Sequence, residues 1–362
     1  MRLRIGIDYR PALLQSAGIG RCVRELCRSL AEWNDLDLRL FGHSFARARH
    51  VAPIPPASRL HRLPIPGRSL PALARCGIDA SSLSGSPEVF HWTDYIHPPV
   101  SRAATVLTIH DLAMAADPEF HGAATELMLE RCRTAANRSQ QIICPTQATA
   151  DQVVTEFELP PEKVTVIPFG CDHVRPTGTP SPLPEDYIVM VGTIEPRKNH
   201  HNLLLAYAGL PAPRPRLLVI GRRGWQCESI VASLTKAAGV TWIEDADDQQ
   251  VTRYMEHAQA LVYPSFLEGF GFPPLEAMRL GTPVLAGDTP ALREVLGQAA
   301  VFCDPHDVDA IRTQLLALTT DADLRATLRQ QGQQQVNHYS WQRSAQQHIE
   351  VYKRSTATTA IR

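Results

Sequence analysis

Residues 187–208 read YIVMVGTIEPRKNHHNLLLAYA, and this stretch decides the fold class. An apolar run at Tyr187–Val191 leads into a glycine-containing turn, which is followed by a helical pattern at His200–Ala208. A short apolar run bounded by glycine and followed by a helix is typical of a buried parallel strand in a βα unit. The stretch therefore predicts an α/β protein with parallel strands.

The same alternation extends in both directions and predicts two α/β halves. The candidate strands of the two halves are Leu3–Asp8, Asp37–Phe41, Val89–Trp92, Thr105–His110, Gln141–Cys144, Val164–Pro168, and then Tyr187–Val191, Arg216–Ile220, Val240–Glu244, Ala260–Tyr263, Pro283–Ala286 and Ala300–Cys303. Between the halves, the proline-rich and apolar-poor residues 173–186 are typical of a linker. We therefore expect a first Rossmann-like domain at 1–172, the linker at 173–186, a second Rossmann-like domain at 187–338 and a C-terminal helix at 339–362.

Composition narrows the class of protein. A chain of 362 residues has room for two domains, and a net charge of -1 lacks the basic excess of a nucleic-acid-binding protein. The eight cysteines are scattered without a CxxC pair, which indicates reduced thiols in a cytoplasmic protein. We find no apolar run of about 18 residues, the length that a membrane-spanning helix requires.

Residues 43–78 interrupt the alternation. They contain six arginines, six prolines and no acidic residue. One interpretation is an irregular loop. The other is a surface that meets an anionic partner, such as the inner face of a membrane or a lipid-diphosphate acceptor.

Several turns that follow strands carry candidate functional residues. Gly18 and Gly20 lie in the turn SAGIGR, between a strand and a helix, where glycines allow a ligand to approach the backbone and the helix N-terminus favours an anion. A plain structural turn explains these glycines equally well. His110 directly follows an apolar strand and can hydrogen-bond a sugar hydroxyl, or it can be a packed imidazole at the edge of the domain.

Two further turns belong to the second half. In the turn that begins at Gly192, the adjacent cations Arg197 and Lys198 suit a diphosphate, since arginine binds phosphate in bidentate fashion and lysine adds a point charge. Residues 264–278 read PSFLEGFGFPPLEAM, with Glu268 in a glycine-rich loop and Glu276 just inside a helix. The amides of this loop, at Gly269, Phe270 and Gly271, can face ligand oxygens.

The two glutamates eight positions apart, together with GTIEPRKN, GIGR and the strand-terminal HD, resemble glycosyltransferase family 4. The resemblance runs from Gly18 to the helix at Trp341. It implies the GT-B fold, in which two Rossmann-like domains face each other across a cleft and the C-terminal helix crosses back to the N-terminal domain. It also implies a retaining transferase that moves a hexose from a nucleotide diphosphate sugar to a glycan or lipid-linked acceptor, without a metal or another cofactor.

The resemblance assigns roles residue by residue. Arg197 and Lys198 would bind and stabilise the departing diphosphate, Glu268 would hold hydroxyls of the transferred sugar, and Glu276 would accept from the ribose. His110 would contact the donor sugar. The remaining donor-binding positions would be Gly18, Gly20, Gly192, Gly269, Phe270 and Gly271. The turn GRRGW at 221–225 is similar to that of mannosyltransferase-like members, which favours GDP-mannose, although the acidic segment 244–248 leaves the base open.

Other functions remain compatible with the sequence. The Asp245-Ala246-Asp247 triplet follows a strand and is compatible with a metal-dependent transferase, but three other Asp-x-Asp triplets occur in the chain. A sugar-nucleotide epimerase, a phosphorylase or a non-catalytic nucleotide-sugar binding protein could use the same scaffold, because a fold does not fix a function.

Overall fold

The structure is a computed structural model that describes residues 2–15, 18–44, 54–56, 58–115 and 124–359. Its contacts group the chain into two compact units: the first comprises Met1–Gly170 and Ser340–Arg362, and the second Cys171–Tyr339. The proline-rich residues from 173 to 186 fall within the second unit, where the amide and hydroxyl of Thr177 donate to the Glu256 carboxylate at 2.8 and 2.5 Å.

Strands and helices alternate along the described chain. The strands are β1 (Leu3–Asp8), β2 (Leu36–His43), β3 (Ser58–Leu63), β4 (Val89–Trp92), β5 (Ala104–Thr108), β6 (Gln141–Cys144), β7 (Val164–Val166), β8 (Tyr187–Val191), β9 (Arg216–Ile220), β10 (Val240–Ile243), β11 (Leu261–Tyr263), β12 (Val284–Gly287) and β13 (Val301–Cys303). The helices are α1 (Arg10–Leu14), α2 (Ile19–Leu30), α3 (Leu70–Arg75), α4 (Ala80–Leu83), α5 (Ala124–Arg138), α6 (Gln147–Phe157), α7 (His200–Ala208), α8 (Glu228–Lys236), α9 (Asp248–Glu256), α10 (Phe272–Arg279), α11 (Pro290–Leu296), α12 (Val308–Thr320), α13 (Ala322–Gln335) and α14 (Trp341–Thr359).

Each unit contains one fully parallel sheet, of seven strands in the first unit and six in the second, and the first six strands of each unit follow the same order. The first sheet runs β3-β2-β1-β4-β5-β6-β7, and the second runs β10-β9-β8-β11-β12-β13. In both sheets the order reverses beside the first strand of the unit, and ligands of open α/β sheets bind at the carboxyl ends of strands at this point. The prediction of two Rossmann-like α/β domains is confirmed.

The segment 43–78 is more regular than the sequence suggested. Its described part contains β3, which pairs in parallel with β2 at the edge of the sheet, and also α3. The prediction that the whole segment is irregular was therefore wrong for these residues. Arg59 and Arg62 are the exposed residues of β3. Because they interrupt the apolar run, the half-buried leucines of this edge strand do not stand out in the sequence. Residues 45–53 and 57 lie outside the described part of the chain.

The C-terminal helix α14 belongs to the first unit, and buried polar contacts fix it there. The ring of His91, on β4, bonds the Tyr352 hydroxyl through Nδ1 at 2.8 Å and the Thr108 hydroxyl through Nε2 at 2.7 Å. The Phe169 ring stacks on Trp341 with 6.0 Å between centroids. Because these side chains are buried, the bonds between α14 and the sheet are shielded from water.

Two buried histidines at this junction make the first unit sensitive to acid. Burial lowers the pKa of His348 to about 4, and burial together with the nearby imidazoles of His348 and His110 lowers the pKa of His91 well below its usual range. The unfolded chain takes up these protons near the usual pKa of 6.5, whereas the folded chain does not. The free energy of unfolding therefore has its full value above pH 6.5 and decreases as the pH falls towards 4.

We predict that the free energy of unfolding falls over this pH range by up to about 1.4 kcal/mol per pH unit for each histidine. Urea unfolding at a series of pH values measures the slope. In the His348→Gln variant, the slope of the free energy of unfolding against pH should show that unfolding takes up roughly one proton fewer than in the wild type. The same change at the exposed His338 is the control. An unaltered slope in His348→Gln would contradict the assignment.

Candidate functional site

The loop after β8 is anchored to the loop after β11. Residues Pro196–Lys198 form a single 3-10 turn that ends at Asn199, whose φ of 62° is left-handed. The Asn199 side-chain amide donates to the carbonyls of Pro264 and Pro305 at 2.9 and 2.7 Å. The Phe266 amide donates to the Arg197 carbonyl at 3.0 Å. These bonds hold the cationic turn beside the glutamate-bearing loop at the carboxyl edge of the second sheet.

Four charged side chains meet at this edge. Glu268 accepts from Arg197 at 3.0 Å through one carboxylate oxygen and from Lys198 at 2.6 Å through the other. Arg197 also pairs with Glu195 at 2.7 Å, and the Lys198 ammonium donates to the Tyr263 hydroxyl at 2.7 Å. We call this group, Glu195, Arg197, Lys198, Tyr263 and Glu268, the ionic cluster. It unites three residues predicted from the sequence.

Opposing effects set the charge state of the cluster. Burial alone would raise the pKa of Glu268, but the adjacent Lys198 and Arg197 lower it to about 2. Burial and the neighbouring Arg197 lower the pKa of Lys198, while Glu268 opposes this shift. Glu268 is therefore ionised at neutral pH and acts only as a hydrogen-bond acceptor towards a ligand.

The remaining predicted residues of the second unit surround the cluster in different ways. A Cβ at Gly192 would lie 3.7 Å from Lys198, an ordinary contact. Gly271 adopts φ 93° and begins α10, and the Phe270 ring packs against Tyr339 at 5.7 Å between centroids. Phe270 thus supports the loop by packing, and a role of Gly269, Phe270 and Gly271 in donor binding stays a prediction.

Glu276 lies on α10 and forms a separate pair. Its side chain is 2% exposed, and its carboxylate lies 3.2 Å from Nε2 of His173. Proline at the start of α10 and the left-handed Gly271 before it fix the direction of the helix. His173 was not predicted from the sequence, since it lies more than a hundred residues away in a segment interpreted as a linker.

The first unit holds the other predicted residues. Gly18 has φ 57° and precedes α2, whereas a Cβ at Gly20 would collide with the backbone of Gln15. Gly20 is thus required by packing whether or not a ligand is bound. The Nε2 of His110 donates to the Thr93 carbonyl at 2.9 Å, and burial lowers the pKa of His110. This leaves Nδ1 unprotonated in the neutral ring, where it can accept a bond from a hydroxyl.

Helix capping accounts for most of the Asp-x-Asp triplets. Asp247 caps α9 by accepting from the Gln250 amide at 2.8 Å, and Asp307 and Asp321 cap α12 and α13 in the same manner. Asp245 lies 3.6 Å from Arg222. Among the described residues, no three His, Cys, Asp or Glu side chains are grouped so that they could hold a metal ion.

Membrane contact rests on residues 43–78 and stays a prediction. In the part of the chain that the structure describes, no helix is both long and apolar enough to cross a bilayer.

The fold agrees with comparisons to known proteins. Residues 177–335 match the family model of glycosyl transferases group 1, and residues 16–175 match the model of glycosyltransferase family 4. Two parallel α/β units with these matches define a glycosyltransferase of the GT-B fold. More particularly, the chain belongs to glycosyltransferase family 4, as the sequence motifs indicated.

Two relatives from Escherichia coli are similar over most of this chain. O-antigen chain mannosyltransferase B is 30% identical over 284 residues, which cover 73% of this chain and 74% of the relative. Serotype-specific mannosyltransferase WbdA is 29% identical over 273 residues, 69% of this chain. The match spans 33% of WbdA.

A solved structure shares the fold over the whole chain. Sucrose-phosphate synthase from Thermosynechococcus elongatus aligns with a TM-score of 0.79 and 19% identity, covering 99% of this chain and 100% of that one. At this identity the likeness concerns the fold.

The ionic cluster predicts a large stability effect at Glu268. Glu268→Ala should lower the free energy of unfolding by about 3–5 kcal/mol, because it leaves buried Lys198 without its carboxylate partner and Arg197 with Glu195 alone. The stabilisation that ionised Glu268 gives to the folded chain is fully present above the usual glutamate pKa of 4.5, and it is lost only as the pH falls towards 2. Urea unfolding at pH 7 measures the change.

Glu244→Ala is the matched control, since Glu244 pairs with Arg223 on the surface, at 3.2 Å. This substitution should lower the free energy of unfolding by at most about 1 kcal/mol. Equal effects of the two substitutions would show that the cluster is not a buried, coupled unit.

Proposed function

We propose that this chain transfers a mannosyl residue from GDP-mannose to a glycan or lipid-linked acceptor, with retention of configuration and without a metal. The observation that carries the proposal is the pair of cations, Arg197 and Lys198, gathered on ionised Glu268 at the carboxyl edge of the second sheet. Such an edge is where α/β sheets bind nucleotides. Two oriented cations can donate charge-assisted hydrogen bonds to the oxygens of a diphosphate and stabilise the charge that develops there.

The reaction proceeds on one face of the sugar. The bond between the anomeric carbon and the diphosphate oxygen breaks, and the electron pair leaves with the diphosphate, which Arg197 and Lys198 stabilise. The acceptor oxygen forms its bond to the same face of the anomeric carbon. Its proton passes to the departing phosphate oxygen. Glu268 holds hydroxyls of the transferred sugar.

The mannosyl donor is supported by the names of the relatives and by the loop after β10. Two E. coli relatives are called mannosyltransferases. Glu244 and Asp245 follow β10, beside Arg223 and Arg222 from the turn after β9. Carboxylates accept hydrogen bonds, and guanine presents N–H donors that uracil lacks at the corresponding edge. This acidic segment thus suits a guanine base.

A screen of nucleotide sugars tests the proposal. The purified chain is incubated with GDP-mannose, UDP-glucose, UDP-galactose and UDP-N-acetylglucosamine in the presence of EDTA, and free nucleotide is measured. We expect slow release of GDP from GDP-mannose. Release only after addition of a divalent metal, or conversion of the donor to an epimer without nucleotide release, would contradict the mechanism. NMR of the anomeric proton in a transfer product reports retention.

The cations should act mainly on the leaving group. Arg197→Ala and Lys198→Ala should each lower turnover by roughly 10² or more, because an oriented charge at the developing diphosphate is lost. The measurement is the steady-state rate of GDP release with GDP-mannose. Arg216→Ala is the control, since this arginine lies at the opposite, amino end of β9 in an exposed pair with Glu185. Near-normal turnover of both site variants would refute the role.

The nucleoside contact is tested separately at Glu276. Glu276→Gln keeps the shape of the side chain but removes its charge, and it should weaken the binding of free GDP by roughly tenfold, the loss expected for one hydrogen bond to a charged group. Calorimetric titration with GDP measures the affinity. An unchanged dissociation constant would assign Glu276 to the pair with His173 alone.

A further inference from the structure

The ionic cluster contains as many carboxylates as cations. Arg197 and Lys198 are its cations, and Glu195 and Glu268 are its carboxylates, so that its four charges sum to zero. Both cations are thus compensated before a ligand arrives. A nucleotide sugar adds a doubly negative diphosphate to this neutral group. For the diphosphate to gain the full attraction of both cations, one carboxylate has to give up its cation.

The two carboxylates are not held equally. Glu268 bridges the two cations, at 3.0 Å from Arg197 and 2.6 Å from Lys198, and these cations lower the pKa of Glu268 to about 2. Glu195 lies 2.7 Å from Nη2 of Arg197. Moving Glu268 away separates it from two cations at hydrogen-bond distance, whereas moving Glu195 away breaks its pair with Arg197. Glu195 is therefore the carboxylate that a competing anion displaces more readily.

The main chain at Glu195 is fixed, but its side chain reaches solvent. The amide and carbonyl of Ile194 bond to the turn at 222–224, at 2.9 and 3.0 Å, and the Glu195 carbonyl accepts from the Lys198 amide at 3.1 Å. The side chains of Glu195 and Arg197 are 10% and 17% exposed. Rotation about side-chain bonds can thus turn the carboxylate towards water without moving the turn, and an anion from solvent can reach the pair.

We infer that Glu195 is a positioning residue that holds Arg197 before the donor binds and yields it to the diphosphate. The exchange takes place on binding, before the glycosidic bond breaks. When the nucleoside diphosphate leaves, Glu195 pairs with Arg197 again and so assists release. The inference rests on the proposed transfer function, because it takes the diphosphate to bind at the ionic cluster. It adds the way in which the site exchanges one anion for another.

This role has a consequence of unusual sign. If the pair with Glu195 closes Arg197 to the ligand, the observed affinity is lowered to the fraction of molecules in which the pair is open. Removing the carboxylate should therefore tighten the binding of the nucleotide. A residue that only supports Arg197 gives the opposite result, since its loss disorders the guanidinium and weakens binding.

The experiment measures the affinity for GDP by calorimetric titration in the presence of EDTA. Wild type is compared with Glu195→Gln, which keeps the shape of the side chain and removes its charge, and with Glu195→Ala, which removes the group. Glu185→Gln is the matched control, since it also removes one negative charge from the second unit, in an exposed pair with Arg216 at 2.8 Å. Guanosine, which lacks the diphosphate, is the control ligand.

We expect both Glu195 variants to bind GDP roughly fivefold to tenfold more tightly than wild type, the effect of one partly exposed ion pair that no longer competes. The affinity for guanosine, and that of Glu185→Gln for GDP, should change less than about twofold. In the steady-state assay with GDP-mannose, the KM of Glu195→Gln should fall by a similar factor. Its kcat should not rise, because substrate and product are both held more firmly.

Three results would overturn the inference. They are unchanged or weaker GDP binding in both Glu195 variants, an equal gain in Glu185→Gln, which would assign the effect to overall charge, and an equal gain for guanosine, which would place it at the nucleoside. Absence of GDP binding by wild type is a different outcome, since it refutes the proposed donor and removes the basis of the inference with it.

Discussion

The bond between the Glu268 carboxylate and the two cations Arg197 and Lys198 is the interaction on which the proposed donor site depends. Buried ions of one sign are unstable without counterions, and here each charge compensates the next. The arrangement keeps Glu268 ionised and holds both cations at the end of the sheet before a ligand arrives. A site held in this way does not have to reorganise during the reaction, which is the main source of electrostatic catalysis.

The parallel sheet makes this arrangement possible. The cations follow β8 and the glutamate follows β11, about seventy residues later, yet these strands are neighbours because the strand order reverses between them. The same reversal between β1 and β4 brings Arg10 and Asp94 together in the first unit. One topological rule thus brings polar side chains together at the carboxyl edge of each sheet.

Local patterns in the sequence were sufficient for the fold class and the charged site. The apolar runs predicted most strands within one or two residues, since a buried parallel strand is continuously apolar. The two cations of the charged site are adjacent in the sequence, in the turn after β8, so that they could be recognised as a pair. β3 was missed because arginines occupy its exposed positions.

Contacts between distant residues could not be predicted from the sequence. Glu195 and Tyr263 lie inside recognisable segments, but only the folded chain shows that they bind Arg197 and Lys198. Gly20 is a second example of a contact that the sequence does not show. The family resemblance assigns it to donor binding, whereas the structure shows that a side chain at this position would collide with the backbone of Gln15.

The most direct test of the account is a crystal structure of the chain bound to GDP-2-deoxy-2-fluoromannose, a mannosyl donor that cannot be transferred. The account predicts diphosphate oxygens within hydrogen-bond distance of Arg197 and Lys198, about 2.7–3.2 Å, with a sugar hydroxyl on Glu268. A diphosphate bound elsewhere, with the contacts among Arg197, Lys198 and Glu268 unchanged and no sugar hydroxyl near them, would contradict it.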